Sequence, residues 1–202
     1  LLMFRQESMF WLTGYDTFGY VFFQTLILDQ NGKIILLTRA PDLRQAQNTS
    51  NITDIRIWID KDGSNPTDDL KVILNEQNLK GKKIGIEYEA YGMTGRNALR
   101  LNKSLEGYCD VEDQSELMTK HRVIKSIEEI VYVKKAAELA DKALDEAWKY
   151  IKAGASEAKI LAEMQKAVLE GGGDYPANEY IIGSGHNALL CRYQAEKRNL
   201  SD

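Results

Sequence analysis

Tyr20-Val21-Phe22-Phe23-Gln24-Thr25-Leu26-Ile27-Leu28, then Asp29-Gln30-Asn31-Gly32, then Lys33-Ile34-Ile35-Leu36-Leu37-Thr38, is the stretch on which the fold turns. Two runs rich in β-branched and aromatic residues flank an Asn-Gly, the strongest short-range signal for a β-hairpin. Working outward, Leu1 to Phe4 reads as a strand, Ser8 to Thr13 is apolar and aromatic, and Gly14-Tyr15-Asp16 reads as a turn. Downstream, Ile55-Arg56-Ile57-Trp58-Ile59 alternates at period two, as a half-buried strand does. Asn65-Pro66 opens a helix with proline in its first turn, and Leu70, Ile73 and Leu74 share a face. A short strand from Lys82 to Glu87, a helix over Thr94 to Ser104, a strand from Tyr108 to Glu112 and a helical turn over Ser115 to His121 complete this part. A hairpin followed by βαβ order predicts a mixed α/β sheet with helices packed against it.

The pattern changes at Lys125. Ser126-Ile127-Glu128-Glu129 is a capping box, in which the Ser126 hydroxyl takes the Glu129 amide and the Glu129 carboxylate reaches back. In the helix that follows, Ile130, Val133, Ala137, Ala140, Leu144, Ala147 and Ile151 recur at three- and four-residue steps and predict one buried face, closed by Gly154. Ser156 caps a second helix with Ile160, Leu161, Met164 and Val168 on one side, ending at Gly171-Gly172-Gly173. Tyr180-Ile181-Ile182 reads as a strand. Two helices and one strand are too little to close a core, so this second domain is expected to continue past Asp202. Leu1 in place of a methionine, at the head of an apparent strand, likewise leads to the expectation of an upstream portion.

Composition narrows the class. Of 202 residues, 44% are apolar and 28% charged, the balance of a globular protein with a core. The net charge is −4, with 30 acidic and 26 basic residues mixed along the chain, so no basic stripe suggests nucleic acid. No apolar run is long enough to span a bilayer, and the first residues do not read as a signal peptide. A cytoplasmic location is the expectation. Cys109 and Cys191 make neither a disulfide framework nor a zinc motif.

Candidate chemistry is sparse. Gly183-Ser184-Gly185-His186-Asn187-Ala188 superficially fits a dinucleotide fingerprint, but it follows two helices and precedes a β-like run, so a structural turn is the better reading. Cys191 and His186 have an odd separation and would face opposite ways on one strand. His121, between Lys120 and Arg122, reads as a solvated helix end. Glu87 and Glu89 would share a strand face as ordinary exposed carboxylates. The cluster Tyr15, Phe18, Tyr20, Phe22 and Phe23 is denser than a core needs, and only a ring on a loop would touch a ligand.

Three segments, in order, resemble the creatinase/prolidase group, which includes Xaa-Pro dipeptidases, creatinases and ectoine hydrolases. They are Met9-Phe10-Trp11-Leu12-Thr13-Gly14-Tyr15-Asp16, Arg122-Val123-Ile124-Lys125-Ser126-Ile127-Glu128-Glu129-Ile130, and Gly171-Gly172-Gly173-Asp174-Tyr175-Pro176 through Ile182-Gly183-Ser184-Gly185-His186-Asn187-Ala188. The resemblance implies a ribonuclease-H-like α/β domain over residues 1–122, followed over residues 123–202 by the first helices and strand of a pita-bread α/β domain. It implies a homodimeric hydrolase that cleaves a peptide or related C–N bond with a water activated by a pair of divalent ions of Mn, Zn or Co type. Those ligands are expected beyond Asp202, so no catalytic or metal-binding residue is assigned within the chain; creatinase-like members work without metal.

In the slot where the family's peptidases carry a substrate-contacting histidine, this chain has Arg192. Arginine stays charged and suits a substrate carboxylate. The resemblance therefore implies a small peptide or a small carboxylated substrate, with Phe23 and Arg192 as candidate substrate-binding residues in the intact dimer. The rivals are a non-catalytic dimerisation or binding module, a creatinase- or ectoine-hydrolase-like amidohydrolase and, more distantly, a dinucleotide-binding oxidoreductase.

Overall fold

A computed structural model describes residues 1–176, 178–190 and 200, and its chain divides into two compact units, Leu1–Ile124 and Lys125–Asp202. The first is built on a six-stranded sheet of order β4-β3-β2-β1-β5-β6. Its strands are β1 (Leu2–Met3), β2 (Thr25–Leu28), β3 (Ile34–Arg39), β4 (Asp54–Trp58), β5 (Lys83–Ile86) and β6 (Asp110–Asp113). The hairpin stands as read: β2 and β3 pair antiparallel with Leu26 opposite Leu36, and Asn31-Gly32 lies in the connection. β1 adds antiparallel to β2 and parallel to β5, while β3–β4 and β5–β6 are parallel.

The unbroken apolar runs of β2 and β3 follow from burial on both faces. Leu2, Ile27, Ile35 and Leu37 point into one core with Leu70, Ile73 and Leu74 of α3 (Pro66–Glu76) and Leu101 and Leu105 of α4 (Gly95–Leu105). Their neighbours Met3, Leu26 and Leu36 point into the other, against Met9 of α1 (Gln6–Thr13), Ala46 of α2 (Leu43–Thr49) and Met118 of α5 (Leu117–Val123). The result is a sheet between two layers of helices.

Three local readings need correction. The run from Tyr20 is not a strand until Thr25, because residues Phe18–Val21 form a 3-10 turn. Thr17 caps that turn by accepting the Gly19 amide and donates to the Asp42 carboxylate. Helix α2 was invisible in the sequence because Arg44, Gln45, Gln47 and Asn48 give no apolar period, and only Ala46 within it is buried. Glu87 and Glu89 do not share a face. The strand ends at Ile86, and Glu87 is 0% exposed whereas Glu89 lies in solvent.

Glu87 sits where β1 passes into α1. Its Oε2 accepts the amides of Phe4 (3.0 Å) and Arg5 (3.1 Å), and its Oε1 accepts the Ser8 hydroxyl (2.6 Å). Arg5, the residue before the helix, makes no side-chain cap of its own, and the buried carboxylate instead fixes the backbone that leads into the helix. Such charge-assisted bonds are the stronger kind. The next loop is held by a second acid: the Asp113 carboxylate accepts the Ser115 amide (2.9 Å) and hydroxyl (2.6 Å), and Ser115 Oγ accepts the amides of Tyr88 and Glu89.

In the second unit the capping box forms as expected on α6 (Ile127–Tyr150), and Ser156 caps α7 (Glu157–Glu170). Of the residues that the periodicity aligned on α6, only Ala147 is buried. Ala143 and Ala147 are buried, while Ile130, Val133 and Leu144 are exposed. Alanines let a second helix approach closely, so packing selects the small-residue side of a broad apolar arc. Gly154 lies in the interhelical turn; α6 has already ended at Tyr150. Residues 180–182 are not a strand; among the described residues of this unit no strand offers them a ladder.

Two predictions follow from the acids. Glu87→Ala leaves two amides and a hydroxyl buried without an acceptor and should cost about 3 kcal/mol or more in urea unfolding; a loss near zero would mean the clasp is dispensable. The Ser115 hydroxyl, then its amide, hold the Asp113 carboxyl below the usual carboxylate value. A depressed folded pKa gives stability that is present above the unfolded value and lost as pH falls through the folded one. Asp113→Asn should therefore flatten the acid limb of the stability profile below about pH 4, and an unchanged limb would contradict this.

Candidate functional site

A cleft of about 650 Å³ opens in the first unit, between the start of α1 and the loop after β5. Arg5, Gln6 and Glu7 form one wall, Tyr88, Glu89 and Tyr91 another, and Tyr20 and Arg122 close the ends. Both walls are positioned by the acids just described: Glu87 fixes the backbone at Phe4 and Arg5, and Asp113 fixes the amides of Tyr88 and Glu89 through Ser115.

The Arg5 guanidinium is fully engaged. Its Nε donates to the Glu89 carbonyl, Nη1 to the Thr119 hydroxyl (2.7 Å), and Nη2 pairs with the Glu89 carboxylate. It ties α1, the loop and α5 together. The aromatic side is equally fixed. Tyr20 meets Tyr91 and Phe18 edge-to-face, each at 5.8 Å between ring centroids. Gly92 is required beneath them, since a Cβ there would lie 2.3 Å from the Phe22 carbonyl oxygen and 2.8 Å from that of Tyr20. Phe18 and Tyr91 are 76% and 81% exposed, so this is a rigid aromatic rim facing solvent. Burial, then the charge of Asp113, pushes the Tyr88 hydroxyl above its ordinary range, so it stays a neutral donor, bonded to Asn102.

Phe23 is not on that rim. It is 3% exposed, its ring meets Phe4 edge-to-face at 5.4 Å, and its carbonyl accepts the Trp58 indole N–H. The neighbouring Phe22 is the half-exposed ring, with the Arg39 guanidinium 3.4 Å from its centroid.

In the second unit, the Gly183–Ala188 segment is a turn, as read, with a 3-10 helix at Gly185–Leu189. It has a buried anchor. Glu157, in the first turn of α7 and 0% exposed, accepts the Ser184 amide (2.9 Å) and hydroxyl (2.8 Å) at a single oxygen, Oε1. Gly183 cannot bear a side chain, because its Cβ would lie 2.4 Å from the Asn187 carbonyl oxygen. His186 is exposed at the tip. Cys191, Arg192 and Asp202 lie outside the described residues. His121 is exposed on α5, and burial raises the Cys109 thiol, which makes it a poor nucleophile.

Glu87 and Glu157 are the residues that sequence reasoning missed. A lone acid after a strand and an acid in a first helical turn both read as solvated, and their partners lie 79 and 27 positions away. Among the described residues, no group of three or more His, Cys, Asp or Glu side chains is arranged to hold a metal ion. The cleft can bind an amphipathic group between rings and fixed charges. It has no nucleophile–base pair with which to break a bond. Among the described residues, no helix is long and apolar enough to cross a membrane.

Comparison with known proteins places these features. The family "Creatinase/Prolidase N-terminal domain" matches residues 1–124, and "Metallopeptidase family M24", which implies divalent metal, matches residues 131–202. An ectoine hydrolase of Halomonas elongata is 26% identical across 90% of this chain and 49% of its own length. An Xaa-Pro dipeptidase of Pyrococcus horikoshii is 32% identical across 54% of this chain and 30% of its own. Among solved structures, X-Pro aminopeptidase from Thermotoga maritima (TM-score 0.79, 20% identical) aligns over 99% of this chain and 53% of that one. Prolidase from Pyrococcus furiosus (TM-score 0.75, 20% identical) aligns over 99% and 57%. The chain thus spans about half the length of the ectoine hydrolase and of these structures. With an N-terminal domain matched from residue 1 to residue 124 and an M24 segment following in order, the chain belongs to the creatinase/prolidase family.

Proposed function

We propose that this chain is the substrate-enclosing and dimer-forming part of a hydrolase that cleaves a C–N bond in a small peptide, an Xaa-Pro dipeptide being the first class to test. The observation that carries this is the tandem order of the two family matches, residues 1–124 and 131–202. The geometry supports the division of labour. The first unit offers a cleft walled by rings and fixed charges. Among the described residues no group is arranged to hold a metal ion; on this reading the divalent pair, of Mn, Zn or Co type, is held by residues other than these. The working form is a cytoplasmic homodimer.

A second reading is an amidohydrolase acting on a small carboxylated substrate. Arg192 favours it: a guanidinium in the slot of a substrate-contacting histidine suits a carboxylate better than it suits proton transfer. Arg192 is then the substrate clamp. Phe23, 3% exposed with its ring against Phe4, is the second candidate substrate-binding residue on this reading.

The full-length protein decides between these readings. Assayed with Mn²⁺, Co²⁺ or Zn²⁺ against Xaa-Pro dipeptides and N-acyl amino acids, it should turn over one class, lose activity on chelation and regain it when metal is returned. Arg192→Ala should raise KM for a carboxylated substrate by roughly tenfold or more while the fold is kept. Unchanged KM and kcat would remove Arg192 from the site. Absence of turnover on every substrate would favour the non-catalytic binding module.

A further inference from the structure

We infer that Glu157 is a positioning residue, whose buried carboxylate sets the path of the chain through the Gly183–Ala188 turn and so towards substrate. The inference rests on the hydrolase reading for the meaning of the turn, but its geometry stands on the second unit alone. A fully buried carboxylate is costly unless hydrogen bonds compensate it. This one accepts both donors of a single residue, the Ser184 amide at 2.9 Å and hydroxyl at 2.8 Å. Two bonds to one residue fix both where the backbone lies and how it is rotated. The rest of the turn follows from that point. Ser184 O accepts the Asn187 amide (3.0 Å), and Asn187 O accepts the Leu190 amide (3.0 Å). Gly183 leaves no room for a Cβ against Asn187, and Gly185 has φ +55°. A turn determined at each step carries its anchor's position as far as Leu190.

Burial distinguishes this role from ordinary helix capping. An acid in the first turn of a helix gains from the helix dipole while exposed to water. Ser156 already caps α7 by accepting the Lys159 amide. Glu157 is turned inward, towards a segment 27 residues away.

The test uses full-length protein carrying Glu157→Ala, Glu157→Gln or Ser184→Ala, the last being a mild change that keeps the proposal testable if Glu157→Ala fails to fold. Amide hydrogen exchange at residues 184–190 should accelerate about tenfold or more in Glu157→Ala, with α6 unchanged, and Glu157→Gln, which keeps an acceptor oxygen, should restore much of the protection. With a substrate that the wild type turns over, KM should rise more than kcat falls, and Glu157→Ala combined with Ser184→Ala should be no worse than Glu157→Ala alone. Unchanged exchange at 184–190, additive effects of the two substitutions, or loss of protection throughout the second unit would overturn the assignment. If the wild type turns over nothing, the hydrolase reading fails, and the exchange experiment still decides whether Glu157 holds the turn.

Discussion

A carboxylate buried without water has to be satisfied by the protein, and the first unit is organised around one such group. Glu87 accepts two consecutive amides and a hydroxyl from the β1–α1 junction. Those residues follow directly on the shortest strand of the sheet, the two-residue β1, which nonetheless lies between β2 and β5 and joins the hairpin half to the βαβ half. So short a strand has few ladder bonds to hold it. The clasp from the end of β5 supplies the missing restraint and aims α1, with Arg5, at the loop that faces it across the cleft. Sheet continuity and cleft shape therefore depend on the same interaction.

The second unit repeats this physical solution with different parts. Glu157 is buried as completely as Glu87 and also accepts a backbone amide and a serine hydroxyl. In both places a connection between elements is held by a buried acid, Glu87 just past the end of β5 and Glu157 in the first turn of α7. Glu87 and Glu157 are thus committed to holding backbone.

Much of the fold was legible because its signals are local. Asn31-Gly32 between two apolar runs specifies a hairpin, Asn65-Pro66 and Ser126 with Glu129 specify helix starts, and the order of elements specifies a mixed sheet. What could not be read depends on distant partners. Phe23 is largely buried, with its ring against Phe4 and its carbonyl accepting from Trp58, while Phe18 and Tyr91 form the exposed rim. The buried face of α6 was misjudged because periodicity locates an apolar arc, whereas the partner's shape selects which part of it is covered, here the alanine side. Glu87 read as an ordinary exposed carboxylate and Glu157 drew no notice, since nothing within several residues of either reveals burial. Arg192 was legible only through resemblance, and it lies outside the described residues.

The central claim is that Glu87, Asp113 and Glu157 hold backbone in place, while the proposed reading puts the groups that bind metal outside the described residues. Calorimetric titration of the 202-residue polypeptide with Mn²⁺, Zn²⁺ and Co²⁺ tests it most directly. The account predicts no saturable, stoichiometric uptake of any of these ions. Tight binding of one or two ions per chain, abolished by replacing acids within these residues, would contradict it.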